Sequence, residues 1–167
     1  MLRHEPAKFG LILDAEGFAA LEDVLTAVRT RLADATAADL LAVVEHVERD
    51  KQRFSIVDDD IRANYGHSLS DRISHSAANP PTRLFHGTHG AAIDAILQEG
   101  LRPMKRQYVH LTPDGELARR VGARRGKPLL IEVDAPGAAA AGTVFYRANE
   151  SFWLAESVPA RFLKRMT

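Results

Sequence analysis

Arginines and histidines recur in this chain beside turns and strand-like runs: Arg3 with His4, Arg53, Arg62, His67, His86, Arg106 and His110. A guanidinium is a rigid fork of donors that matches a phosphate bidentately. A histidine beside such forks can also move a proton near neutral pH. Converging arginines with one histidine would therefore make a phosphate site capable of proton transfer. Singly, each residue has a plainer reading. Arg53 in KQRFSIV reads as a solvated side chain, and His86 in LFHGT as a core histidine satisfied by backbone. Gly87 allows close approach by a ligand or merely a tight turn. The run ARRVGARRGK reads as a basic helix end favoured by the helix dipole.

The elements that must position these residues follow from periodicity. LILD reads as a short strand closed by the turn-like AEG. LEDVLTAVRTRL places Leu21, Val24, Leu25, Val28 and Leu32 on one helical face. A second helix begins at Thr36 with Asp39 in capping-box spacing, and carries Leu40, Val43, Val44 and Val47 at helical period. RFSIVDDDIRANYG reads as a hairpin around an acidic turn. The polar stretch 69–82, LSDRISHSAANPPT, is the best linker candidate. Beyond it RLFHGT is a strand, and GAAIDAILQEG a helix closed by Gly100. YVHLT is a strand, PDGELARRVGARR a helix with Pro113 near its start, and KPLLIEVDA a buried strand. VFYRAN and SFWLAES are two further strands, and AAAAG at 138–142 is too short for low complexity. In the strand around His110 the ring points to the face opposite Val109 and Leu111.

Composition narrows the class. The 167 residues are 46% hydrophobic and 26% charged, values of a globular chain organised as one domain or two small lobes. No apolar run has spanning length, and the N-terminus lacks a secretory core segment, so a cytosolic protein without membrane association is expected. The absence of cysteine removes disulfides, thiolate metal sites and cysteine nucleophiles. The P-loop, GxGxxG, HExxH and GxSxG signatures are absent from the sequence. Net charge is zero, but residues 1–75 hold 9 Lys+Arg against 14 Asp+Glu, while residues 76–167 hold 13 against 8. An anionic partner must be met by placed arginines, because the overall field offers no help.

Taken in order, LRHEP, GLILDAEGF, KQRFSI, IRANYGHS, LFHGT, LRPMKRQYVHLTP, GKPLLIEVDA and SFWLAESVP form a specific series. This series resembles the RNA 2′-phosphotransferase (tRNA 2′-phosphotransferase) family along nearly the whole chain. The resemblance implies an α+β protein: a winged-helix-like RNA lobe over 1–75 and an ADP-ribosyltransferase-like NAD lobe over 80–167. It implies NAD+ as co-substrate, no metal, and an RNA bearing an internal 2′-phosphate, as left at a tRNA splice junction. The expected products are nicotinamide, RNA with a 2′-hydroxyl, and ADP-ribose 1″,2″-cyclic phosphate, reached through an ADP-ribosylated RNA 2′-phosphate.

By motif, the family's catalytic set falls on Arg3, His4, Arg53 and Arg106. Three guanidiniums would stabilise charge on the phosphate, and His4 would donate either a proton to the leaving oxygen or a hydrogen bond to the phosphate. The family's NAD-binding positions fall on His86, Gly87, Thr88, His110, Thr112 and Phe152, an apolar residue standing where many protein-modifying relatives of that fold carry Glu. Arg62 and His67 are implied to line the same cleft. Two departures stand out: relatives carry a further helix before LRH, and Tyr65 occupies a position where glutamine is expected. Two other readings compete: an ADP-ribosyltransferase that caps nucleic-acid phosphate ends, and a non-catalytic winged-helix binder. The acidic balance of residues 1–75 speaks against the binder, which would need a basic recognition helix.

Overall fold

The acidic turn of RFSIVDDDIRANYG closes a hairpin of two-residue loop, in which Asp58 takes the left-handed conformation at φ 52°. Strands β2 (Phe54–Val57) and β3 (Asp60–Ala63) pair antiparallel with Ile56 opposite Ile61. In the computed structural model, which describes residues 1–46, 52–123 and 126–166, β3 is the centre of a three-stranded sheet. Its other neighbour is β1 (Phe18–Ala20), paired antiparallel with Ala19 opposite Ile61. Alternation along β3 sends Ile61 and Ala63 to the buried face and Arg62 to the other.

LILD is not a strand. Asp14 turns the chain instead: its N–H donates to the Phe18 carbonyl, and its carboxylate accepts from the N–H groups of Glu16 and Phe18. Leu11 is buried while Ile12 is 88% exposed. Helix α1 (Leu21–Arg29) ends before Leu32, because the Thr30 hydroxyl donates back to the Ala27 carbonyl. Leu32 is therefore exposed, and Ala27 joins Val24 on the buried side. Helix α2 (Ala37–Glu45) starts in the expected capping box, with Thr36 and Asp39 exchanging side-chain-to-backbone bonds. It buries Val44 but leaves Val43 exposed. Val47 lies outside the described residues. Leu2, Leu11, Val24, Val44 and Ile61 belong to one core.

The chain divides into compact units at Met1–Ser74 and His75–Thr167. Residues 69–82 form no helix or strand, yet Ile73 is buried and Ala77 bridges Tyr146, so the stretch is packed within its units.

In the second unit β4 (Arg83–His89), β6 (Pro128–Asp134) and β9 (Leu163–Met166) form one antiparallel sheet with β6 in the centre. A second sheet has the order β5 (Val109–Leu111), β8 (Trp153–Ala155), β7 (Phe145–Arg147). The two are joined by a bridge in which Phe85 and Thr112 exchange both backbone hydrogen bonds. Helix α3 (Gly90–Glu99) ends at Gly100 in a left-handed φ of 89°. Pro113 lies ahead of α4 (Gly115–Gly122), and Asp114 is the N-cap, accepting from Glu116 and Leu117. Arg124 and Arg125 of the basic run are outside the described residues. The strand KPLLIEVD stops at Asp134, whose carboxylate accepts from Gly137 and starts α5 (Ala135–Ala140), so Ala135 is helical. Leu84, Val109, Leu111, Val133, Phe145 and Trp153 share the core of this unit. The architecture is α+β, built from small antiparallel sheets.

Candidate functional site

In the first unit, the N-terminal Arg-His pair is tied down on both sides. Leu2 is buried, and a 3-10 turn over Pro6–Phe9 follows, closed by Gly10 in a left-handed conformation. The N–H groups of His4 and Glu5 both point at the Met1 carbonyl. The carbonyl of Arg3 accepts from the Ser68 N–H at 3.0 Å, and His4 Nδ1 lies 2.8 Å from Ser68 Oγ. Glu5 is held below the usual carboxylate range by the Lys8 ammonium that hydrogen-bonds it.

Arg53 stands one residue before β2, and its carbonyl accepts from the Asn64 N–H at 2.9 Å. The Asn64 side chain is buried and bonded through both its oxygen and its nitrogen. It donates to the Gln52 carbonyl at 3.2 Å and accepts from the Ser55 hydroxyl at 2.7 Å. Thus five consecutive residues, 64–68, touch both Arg53 and the Arg3–His4 pair. Arg62 lies across β1 from Phe18, its guanidinium carbon 4.6 Å from the ring centroid, a cation–π contact that holds it over that sheet face. His67 is buried beside Gly17, where a Cβ would stand 3.6 Å from His67 Nε2.

In the second unit, the Phe85–Thr112 bridge sets β4 beside β5, and His86 Nδ1 donates to the His110 carbonyl at 3.0 Å. Burial pushes the His86 ring below its usual pKa, an effect partly opposed by that hydrogen bond. The ring is thereby neutral at pH 7, with Nδ1 carrying the proton and Nε2 an acceptor. Cross-strand register places His110, Leu154 and Tyr146 in a row on one face of the β5–β8–β7 sheet. Phe152 lies immediately before β8, and its carbonyl accepts from the N–H groups of Ala148 and Asn149. The rings of His75, Tyr108 and Tyr146 gather with centroids 5.3 to 6.3 Å apart. Thr112 is buried, and its hydroxyl accepts from the Asp114 N–H, which fixes the entry to α4. Thr88 is also buried.

Gly87 has a purpose that its motif did not suggest. A Cβ there would lie 1.7 Å from the Ala118 carbonyl oxygen, so α4 packs directly on the backbone of β4. Arg106 is exposed in a turn whose N–H donates to the Pro103 carbonyl, with Met104 left-handed at φ 56°. Arg3, His4 and Arg53 belong to the first unit, Arg106 to the second. Asn64 and Ser68 escaped attention in the sequence, although both lie in IRANYGHS. Asn149 did as well; its side chain accepts from the N–H groups of Ser151 and Phe152 and so holds Phe152 at the start of β8. Among the described residues no group of three or more metal-ligating side chains occurs, and no helix is long and apolar enough to cross a membrane.

Fold and site together define a two-unit α+β protein whose arginines and histidines are fixed at strand ends and turns by backbone hydrogen bonds. The chain belongs to the RNA 2′-phosphotransferase, Tpt1/KptA family, whose model matches residues 1–157. It is 44% identical to a probable RNA 2′-phosphotransferase of Streptomyces griseus, over 97% of this chain and 89% of that one. Proteins of the same name from Rhizobium leguminosarum and Acetivibrio thermocellus are 41% and 39% identical over 98% of this chain, covering 88% and 90% of their own lengths.

Proposed function

We propose that the chain is an NAD+-dependent transferase that removes an internal 2′-phosphate from RNA. The family match across residues 1–157 carries this reading, and the anchoring of Arg3, His4 and Arg53 supports it. In the first step a phosphate oxygen bonds to C1″ of NAD+, and the C1″–nitrogen bond breaks with its electron pair leaving on nicotinamide. In the second, ribose O2″ loses its proton and bonds to phosphorus while the bond from phosphorus to RNA O2′ breaks. RNA O2′ takes up a proton, and ADP-ribose 1″,2″-cyclic phosphate departs.

The second step builds charge on the non-bridging oxygens and on O2′. Arg3, Arg53 and Arg106 supply fixed positive charge for it, and His4 a hydrogen. The second unit suits the dinucleotide. Neutral His86 offers an acceptor at Nε2, and His110 stands on β5 beside it, opposite the buried Leu154. Thr88 lies in β4, and Thr112 pairs with Phe85 of the same strand. Phosphate arrives ionised, so the apolar Phe152 is adequate where a hydroxyl nucleophile would need a carboxylate base. In this reading residues 1–75 form a winged-helix-like RNA lobe and 80–167 an ADP-ribosyltransferase-like lobe, the enzyme is cytoplasmic and metal-independent, and a tRNA splice junction is one source of its substrate.

The test is incubation with NAD+ and a 2′-phosphorylated oligoribonucleotide in chelator. Nicotinamide and the cyclic phosphate should appear in equal amounts; formation of neither product would defeat the reading. Arg53→Ala should accumulate ADP-ribosylated RNA that the unsubstituted protein clears. Full turnover by that variant would remove Arg53 from the assigned role.

A further inference from the structure

Resting on the reading above, we propose that Asn64 and Ser68 are positioning residues, and that the five-residue segment they bound is a splint fixing the Arg3–His4 pair relative to Arg53. The segment leaves β3 at Ala63, and Gly66 takes a left-handed φ of 88° midway along it. That reversal lets one end of the segment serve Arg53 and the other serve the N-terminus.

At the first end, Asn64 grips the two peptide units that flank Arg53. Its backbone N–H donates to the Arg53 carbonyl and its amide to the Gln52 carbonyl. The Ser55 hydroxyl completes the set by donating to Asn64 Oδ1, and Asn64 itself is only 1% exposed. A buried residue that bonds the carbonyls on both sides of one arginine, its own amide oxygen held by Ser55, fixes where that side chain originates. Asp in its place would lose the donor to Gln52, and Ala would lose both side-chain bonds.

At the other end Ser68 makes two contacts with consecutive residues. Its N–H holds the Arg3 carbonyl, and its hydroxyl meets His4 Nδ1. In the proposed arrangement Ser68 Oγ–H donates to Nδ1, and the neutral imidazole carries its proton on Nε2. That tautomer aims a donor away from the splint, at whatever the ring faces. Ser68 thus selects the nitrogen that can donate a hydrogen bond to the oxygens on which charge grows, and that charge grows only in the second step.

Three readouts test the splint in the full-length chain. Ser68 is exposed, so Ser68→Ala should fold normally. Its His4 ring ¹⁵N shifts should move from one Nε2–H tautomer to a mixture; unchanged shifts overturn the proposal. In single-turnover reactions Ser68→Ala should slow cyclic phosphate formation about 100-fold, the cost of a misplaced catalytic group. Nicotinamide release should change less than about 3-fold, because the first step needs no proton donor. Ser68→Thr, which keeps the hydroxyl, should restore most of the loss. Equal slowing of both steps, or no rescue by threonine, overturns the proposal. Asn64→Ala, checked for a cooperative unfolding transition, should accumulate the same intermediate as Arg53→Ala; loss of the first step instead counts against it. Should the unsubstituted chain form neither product, the functional reading fails, and the His4 ¹⁵N shifts alone decide whether Ser68 sets the tautomer.

Discussion

At the scale of single residues, a glycine and a histidine of LFHGT show how one motif serves packing and chemistry together. Gly87 leaves room for the Ala118 carbonyl, and no side-chain rotation can relieve a Cβ placed 1.7 Å from that backbone oxygen. Gly87→Ala should therefore cost at least about 3 kcal/mol, the upper range for overpacking against a rigid neighbour. Urea unfolding measures it. Gly90→Ala is the control: a Cβ there meets nothing within 4 Å, and the position opens α3, so about 0.5 kcal/mol of stabilisation is expected. His86 predicts a pH effect. Its folded pKa lies below the unfolded value of about 6.5, so above that pH the ring is neutral in both states. As pH falls below about 6.5 the unfolded chain takes up a proton that the folded chain refuses, and stability declines until the folded value is reached. The urea midpoint should drop between pH 7.5 and 5.5, and His86→Asn should show a shallower drop. An equal slope in the two proteins would show that His86 does not carry the effect.

At the scale of elements, the signals that survived folding were those with a local physical cause. The Thr36–Asp39 capping box formed as spaced, so Thr36→Ala should cost about 1 kcal/mol in thermal or urea unfolding. A loss below a few tenths would mean that tertiary contacts alone hold the start of α2. The acidic hairpin, the Gly100 helix stop and the strands around His86 and His110 were legible for similar reasons, since turn chemistry and alternation are short-range. LILD failed because periodicity cannot weigh one side chain's bonds against a ladder: Asp14 captures two N–H groups and bends the run into a turn. Leu32 and Val43 have the right spacing, but α1 ends early and α2 turns only a narrow stripe inward. The candidate site residues were read as types in order, and the hydrogen bonds around them were not. Asn64 and Ser68 act through main-chain partners 11 to 65 positions away, and no local pattern encodes such pairings.

At the scale of the whole molecule, charge decides how RNA can be held. Residues 1–75 are net acidic and 76–167 net basic, and they cancel. The basic surplus is further reduced at close range, since Arg102, Arg119 and Arg147 pair with Glu99, Glu116 and Glu150 three positions away. Such exposed pairs add little stability, but they keep these guanidiniums from acting as a continuous stripe for a phosphate backbone. On the proposed function, such a charge distribution favours recognition of the one phosphate acted on over the rest of the strand. Affinity for single-stranded RNA falls with salt by about 0.7 logarithmic units per decade for each phosphate neutralised. Contact with two to four phosphates then gives a slope between about −1.5 and −3. Anisotropy of a 2′-phosphorylated oligoribonucleotide across a salt series measures the slope. On the proposed arginine set, the same strand without its 2′-phosphate should bind at least about 10-fold more weakly. A slope steeper than about −5, with equal affinity for the two strands, would mean that the protein tracks the RNA backbone and that recognition does not reside in the placed arginines.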